Sequence, residues 1–307
     1  MNARRDLLLL VTVAAMAATP AVGQDVGQDV APPVRAAGTV TPSAASIPDF
    51  SGMWAHPYNP GFELPVSGPG PVRRVASRGR LIGDYTNPIL KPRAAEAVKK
   101  HDDLELGGET AAIPSNQCWP SGVPYIFFQP GMQMVQQPDR ITFLYLRDHE
   151  VRHVRMNEAH PARVTPSWYG DSVGHYEGDT LVIDTVGVRT DRPFAMIDMF
   201  GTPYTQALHV VERYRLIDYG EAKAVIDSNS THNTRIAEVF VDPTYRGKHL
   251  QLSFTVEDEG VFMMPWFATI TYARLLGAWE EHVCSENPHE YYNSKDSEVP
   301  VADKPDF

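Results

Sequence analysis

Three groups of residues have types and spacings that could do chemistry. His149-Glu150-Val151-Arg152-His153 reproduces the His-Glu-x-x-His arrangement, in which two imidazoles one helical turn apart bind zinc and the glutamate activates a water. That arrangement needs a helix. Here the strand-forming run Ile141–Leu146 comes first, Arg147-Asp148-His149-Glu150 has turn composition, and Val151–Met156 reads as the returning strand. On a strand, residues i and i+4 lie about 13 Å apart, too far to share one ion. The longer metalloprotease pattern also fails, because Met156 stands where it has glycine and Ala159 where it has a third histidine. No metal and no other cofactor is expected.

The second group lies in Val173–Asp184. Glu177-Gly178-Asp179-Thr180 fits a two-residue hairpin loop centred on Gly178-Asp179, which sets the register. Glu177 then faces Thr180, Tyr176 faces Leu181, His175 faces Val182 and Val173 faces Asp184. One face carries Val173, His175, Val182, Asp184 and Val186, with His175 and Asp184 as diagonal neighbours. A carboxylate that orients an imidazole fixes its tautomer and prepares it for acid–base chemistry. The structural alternative is a hydrogen bond on the wall of a sheet.

The third group is the run Leu208–Ile217. Leu208, Val210, Glu212, Tyr214 and Leu216 share one face, and His209, Val211, Arg213, Arg215 and Ile217 the other. Glu212 thus sits on the more apolar face, either as a proton donor or acceptor or as half of an internal ion pair with an arginine from another strand. Around these groups, Arg213 or Tyr169 is a candidate to stabilise developing negative charge. Trp168, His209, Tyr204 and Trp266 are candidate ligand contacts. Phe127, Phe128, Phe262 and Phe267 could join them at a pocket mouth with segment 189–207 as a lid, although most such aromatics belong in a core.

The elements that must position these residues are mainly strands. Ile141–Leu146, Val151–Met156, Leu181–Val188, Leu208–Ile217 and Ala268–Leu275 are β-branched and aromatic runs between turn residues, and Ala278–Cys284 is a further candidate. Leu250, Leu252, Phe254 and Val256 alternate with polar residues, as in a sheet with one buried face. One short helix is expected over Lys91–His101, with Pro92 in its first turn and Gly107-Gly108 as its stop. Asp49–Gly83 is rich in glycine and proline and suits long loops with one short strand. Eight to ten strands without strand–helix alternation predict a mainly all-β fold, an antiparallel barrel or a sandwich.

Asp49-Phe50-Ser51-Gly52-Met53-Trp54 resembles the Gly-x-Trp opening strand of lipocalin-like barrels, which implies the barrel rather than the sandwich. The block Pro166-Ser167-Trp168-Tyr169-Gly170-Asp171-Ser172-Val173-Gly174-His175-Tyr176-Glu177-Gly178-Asp179-Thr180-Leu181-Val182-Ile183-Asp184-Thr185, followed by Leu208-His209-Val210-Val211-Glu212-Arg213-Tyr214, is similar to a family of exported, functionally uncharacterised bacterial proteins. The likeness extends over most of residues 48–290 and implies an exported β-rich protein without assigning a reaction.

Composition sets the remaining bounds. The 307 residues are 43% apolar and 21% charged, which requires a real core. A net charge of −11 without a long basic run argues against nucleic acid as a partner. Leu7–Ala18 is too short for a membrane span. With Arg4-Arg5 before it and Ala21-Val22-Gly23 after it, it reads as a signal peptide over residues 1–23, taken by the Sec or the twin-arginine route. Residues 24–47, with their tandem Gln-Asp-Val-Gly repeat, read as a tether, and 48–307 as one barrel domain. The only cysteines, Cys118 and Cys284, are expected to pair in the oxidising periplasm or outside the cell.

The sequence offers no Gly-rich phosphate loop in a strand–helix setting, no Gly-x-Ser-x-Gly elbow, and no thiol free to act as a nucleophile. What remains is a cofactor-independent acid–base enzyme, a lyase, isomerase or hydrolase, acting on a small apolar or aromatic molecule. The alternatives are a non-catalytic lipocalin-like carrier and an interaction module of the envelope. The mature protein should begin at Gln24; an intact mass that retains Met1 after export would contradict this reading.

Overall fold

A computed structural model describes residues 47–55, 62–65, 67–75, 80–146, 150–192, 194–230, 241–242, 244–275 and 284. The expected signal peptide, almost all of the expected tether, His149 and the proposed strand Ala278–Cys284 up to its last residue lie outside the described residues. Nine strands close into one barrel in chain order: β1 (Gly52–Ala55), β2 (Gly131–Gln136), β3 (Arg140–Tyr145), β4 (Val151–Met156), β5 (Asp171–Glu177), β6 (Thr180–Val186), β7 (His209–Ile217), β8 (His249–Glu257) and β9 (Trp266–Arg274). The runs read from β-branched alternation within the described residues are strands, β2 was not among them, and the β5–β6 hairpin has the register deduced from its turn, with Val173 opposite Asp184 and Glu177 opposite Thr180. Gly178, at φ 62°, takes the left-handed conformation that a tight hairpin loop requires.

Two expectations need correction. The barrel is not antiparallel throughout: β4 and β5 run parallel, pairing Arg155 with Val173 and Met156 with Gly174. Segment 157–170 carries the chain back to the starting end of β4, so β5 lies beside it in the same direction. A side chain at Gly174 would press on Met156 and Val154, so glycine lets the two strands approach. There is also a second helix. α1 (Pro92–Gly107) begins at the predicted proline and ends on left-handed Gly108, a turn and a half beyond the predicted end. α2 (Tyr219–Ser230) follows β7 directly and buries Ala222.

Barrel closure rests on the Gly-x-Trp segment. β1 pairs with β2 and, through Trp54 opposite Arg274 and Ala55 opposite Ala273, with β9. The Arg274 guanidinium stacks 4.7 Å from the Trp54 ring centroid. Gly52, at φ 134°, is compatible with this because any Cβ there would collide with that guanidinium. The interior is filled by Met132, Phe143, Tyr145, Tyr214, Leu252, Phe254 and Trp266, and by Phe62 and Phe127 from the loops, with Phe62 stacked 4.1 Å from Phe128. The Cys118–Cys284 disulfide is formed, with Cα atoms 5.4 Å apart. No described helix is long and apolar enough to cross a membrane.

α1 packs against segment 194–204 through titratable groups. Asp102 accepts the Gly83 N–H at 2.8 Å, Asp198 accepts those of Phe200 and Thr202, and His101 lies over left-handed Gly201. Burial pushes both Asp102 and Asp198 up to about 6 and lowers His101. A carboxyl raised from 3.8 to about 6 on folding stabilises the fold below pH 4 and loses that contribution as the pH rises to 6. Buried neutral His101 acts in the opposite direction, losing its contribution on acidification. Asp198→Asn can keep the two accepted N–H bonds and removes one ionisation. Urea unfolding should therefore show the variant gaining about 2–3 kcal/mol over wild type between pH 4 and neutrality.

Candidate functional site

Chain alternation on β7 turns Glu212 into the barrel, where it has no solvent exposure. It is not free to exchange protons. Arg152 of β4 reaches it with two hydrogen bonds, Nη1 to Oε2 at 2.9 Å and Nη2 to Oε1 at 2.6 Å. The Tyr214 hydroxyl donates a third bond to Oε2 at 2.9 Å. Its Nε and Nη2 also donate to the Ser172 and Thr185 hydroxyls. Burial opposes the charge on Arg152, but Glu212 beside it holds the guanidinium above its ordinary range. Burial likewise raises Tyr145 and Tyr214, so both stay protonated. This is the internal ion pair that stood as the structural alternative for Glu212. Arg152 went unrecognised in the sequence, although alternation along Val151–Met156 already puts it on the face of Val154 and Met156.

The His175–Asp184 pair does not form. Both face outward, but the His175 ring bonds Glu177 at 3.1 Å, and Arg213 from β7 reaches the same carboxylate. Glu177 holds these two because it lies at the hairpin end, two residues along the same face. Its carboxyl is held below the usual range, first by Arg213 and then by His175. His175, Arg213 and Glu177 are thus an exposed ionic cluster, separated from Glu212 by the barrel wall.

Asp184 pairs instead with two other imidazoles. β6 pairs with β7 so that Asp184 lies opposite Val211 and diagonal to His209. His209 Nε2 is 3.0 Å from Asp184 Oδ2, and its Nδ1 is 3.6 Å from Glu257 at the end of β8. His160, in the crossover between β4 and β5, lies 3.0 Å from Asp184 Oδ1 and 2.8 Å from Asp171, which Arg155 also holds at 2.9 Å. The result is a surface row of alternating carboxylates and imidazoles, Asp171–His160–Asp184–His209–Glu257. The His209 bond pulls Asp184 below the usual carboxylate range against partial burial, and Asp184 raises His209 above the usual imidazole range.

Of two cavities, one borders this row. This one, of about 410 Å³, is lined by His209, Glu257, Glu259, Phe262, Met263 and Met264 among others. The other, of about 680 Å³, lies over Val164, Pro166, Val186–Asp191 and Gln206. Trp168 is half-buried between the guanidinium groups of Arg189 and Arg192, at 4.9 and 5.0 Å from its ring, and packs on Trp119. Tyr169 packs against the edge of the core. Tyr204 is buried, bonded to Arg192 and to the Arg189 carbonyl, and Trp266 is 1% exposed within the barrel. Phe127, Phe128 and Phe262 are core as well, whereas Phe267 is exposed. Segment 189–207 is not a free lid, since Ile197, Phe200 and Tyr204 anchor it.

Comparison with known proteins leaves the geometry to stand alone: no family model, no curated protein and no solved structure matches the chain.

Of the residues singled out in the sequence, the structure therefore brings together Asp184 and His209 beside a cavity. Glu212→Gln should leave the Arg152 guanidinium without its buried counter-charge and lower stability by about 3–5 kcal/mol. His175→Gln, on the exposed cluster, should change stability by no more than about 0.5 kcal/mol. Denaturant titration of the two variants checks both values.

Proposed function

We propose that the protein is an exported acid–base enzyme, a lyase, isomerase or hydrolase, that acts on a small molecule with an apolar body at the 410 Å³ cavity beside His209. The observation that carries this reading is His209 itself: an imidazole held by Asp184 on one nitrogen and facing Glu257 with the other, on the border of a cavity with a phenylalanine and methionine wall. Asp184 fixes the ring and favours its protonated form, which suits His209 to give a proton to a substrate and to recover one afterwards. His160 is a positioning residue, holding the second oxygen of Asp184. Met263, Met264 and Phe262 lower the local polarity and strengthen the charge interactions of a bound substrate. The disulfide supports the exported location, since such bonds persist in oxidising compartments.

A carrier without catalysis is favoured by one observation, the 680 Å³ cavity with Val164, Pro166, Val186 and Val188 along it and its single arginine already paired with Asp191. The interior of the barrel favours neither use, because its described side chains pack on one another as core.

The two readings part on His209. A panel of aryl-alkyl ketones in D₂O, read by deuterium uptake, and of the matching esters, read by hydrolysis, should yield turnover that falls about 10²–10⁴-fold in His209→Gln. In a ring-proton NMR titration, His209 should titrate above the usual imidazole range and move down in Asp184→Asn. Binding without turnover anywhere in the panel, or turnover unchanged in His209→Gln, would favour the carrier.

A further inference from the structure

The His209 cavity displays sulfur. Met263 and Met264 lie on its wall, 60% and 51% exposed, and they are the exposed methionines among the described residues. Met132, Met134, Met156 and Met196 are buried in the core, and Met53 and Met199 are partly covered. The two cysteines are bonded to each other, so no free thiol competes for an oxidant. Accessible sulfur is thus concentrated in two adjacent thioethers at one cavity.

Their exposure is built into the connection between β8 and β9. The Val261 and Phe262 N–H groups donate to the Asp258 carbonyl at 3.0 and 2.8 Å, the Lys91 N–H donates to the Val261 carbonyl at 2.8 Å, and the Met263 N–H donates to the Ile89 carbonyl at 2.7 Å. Phe262 turns inward, 4% exposed, with its ring edge-on to Trp266 at 5.9 Å. A backbone anchored on both sides keeps the two thioethers in the cavity wall. Oxidation changes what that wall can do. A thioether is apolar and polarizable, whereas a sulfoxide carries a strong acceptor oxygen that holds water and resists desolvation by an apolar body. The change falls on the cavity that His209 and Glu257 also line, while the buried methionines keep the barrel packed.

We propose that Met263 and Met264 are a modification site through which hydrogen peroxide switches this cavity from binding an apolar body to excluding it. In each event the thioether sulfur attacks one peroxide oxygen. The O–O bond breaks, an S–O bond forms, the sulfur is oxidised by two electrons to the sulfoxide and the peroxide leaves as water. Hydrogen peroxide is uncharged, so Glu257 and Glu259 in the lining do not repel it. Sulfoxide reductases reverse the step, which makes the switch resettable. The loss of binding rests on the reading of this cavity as the site for an apolar body; the selective oxidation of the two sulfurs does not.

The test treats the purified protein with millimolar hydrogen peroxide and follows each methionine by peptide mass spectrometry. Before and after treatment, 4-phenyl-2-butanone is titrated in at fixed pH and its binding is read on the His209 ring protons. Met263 and Met264 should oxidise at least about tenfold faster than Met132, Met134 and Met156. Their oxidation should weaken ketone binding about tenfold, and a methionine sulfoxide reductase should restore it. The Met263→Leu/Met264→Leu variant keeps the volume and apolarity of the wall without an oxidisable sulfur. It should bind the ketone like untreated protein and be unaffected by peroxide. Oxidation of the pair no faster than that of the buried methionines would overturn the modification site. Ketone binding that survives oxidation of the pair, or that peroxide abolishes equally in the leucine variant, would overturn the switch. No ketone-induced shift at His209 in untreated protein at millimolar concentration would overturn the switch together with the proposed site. Peroxide-sensitive binding with turnover unchanged in His209→Gln would support the switch and count against the acid–base reading alone.

Discussion

A guanidinium and a carboxylate taken out of water inside a β-barrel must find each other, because either one alone would cost several kcal/mol. Arg152 and Glu212 lie on strands that are not neighbours, and their bidentate contact spans the interior across the hydroxyls of Ser172 and Thr185. For the pair to meet, β4 must run beside β5 in the register that places Arg152 near Ser172, and β6 and β7 must pair so that Thr185 and Glu212 face the same interior. Strand order, the parallel β4–β5 pair and the inward face of β7 are all compatible with this one contact. A one-residue slip of β7 would send Glu212 to solvent and Arg213 into the barrel.

The same pair decides where chemistry can occur. The carboxylate best placed by polarity to exchange a proton is already saturated by Arg152 and Tyr214, and aromatic rings pack the space around it. Titratable groups with room for a ligand are left on the outer face, where adjacent strands align them into a row. On β6, Asp184 has a diagonal imidazole on each side, His175 over β5 and His209 over β7. His175 is taken by Glu177, closer along its own face, so the carboxylate is left to His209 and to His160 from the crossover.

Closure of the barrel is a separate constraint with its own device. β1 is only four residues long and touches β9 at two positions, so the seam needs more than ladder hydrogen bonds. Arg274 lying on Trp54, with a glycine at position 52 to admit it, adds a cation–π contact at that seam. The disulfide joins the segment before β2 to the segment after β9, across 166 residues.

Local pattern was enough to read the described strands other than β2, the first helix, the hairpin register at Gly178-Asp179 and the inward face of β7, because alternation and turn chemistry act over a few residues. The pairing of the only two cysteines was expected from their number and from the export reading. The parallel β5, the helix after β7 and the partners of Arg152, Asp184 and Glu212 were decided by the tertiary structure. His160 carried no signal of its own: it sits in a crossover, and only the return of the chain beside β4 brings it to Asp171 and Asp184. The choice of His209 over His175 depended on which strand lies beyond β6, and segment 187–208 hides that register from any local rule. Glu212 shows the limit most clearly, since alternation along β7 placed it inside, but whether it would be a proton carrier or half of an ion pair depended on an arginine 60 residues away in sequence.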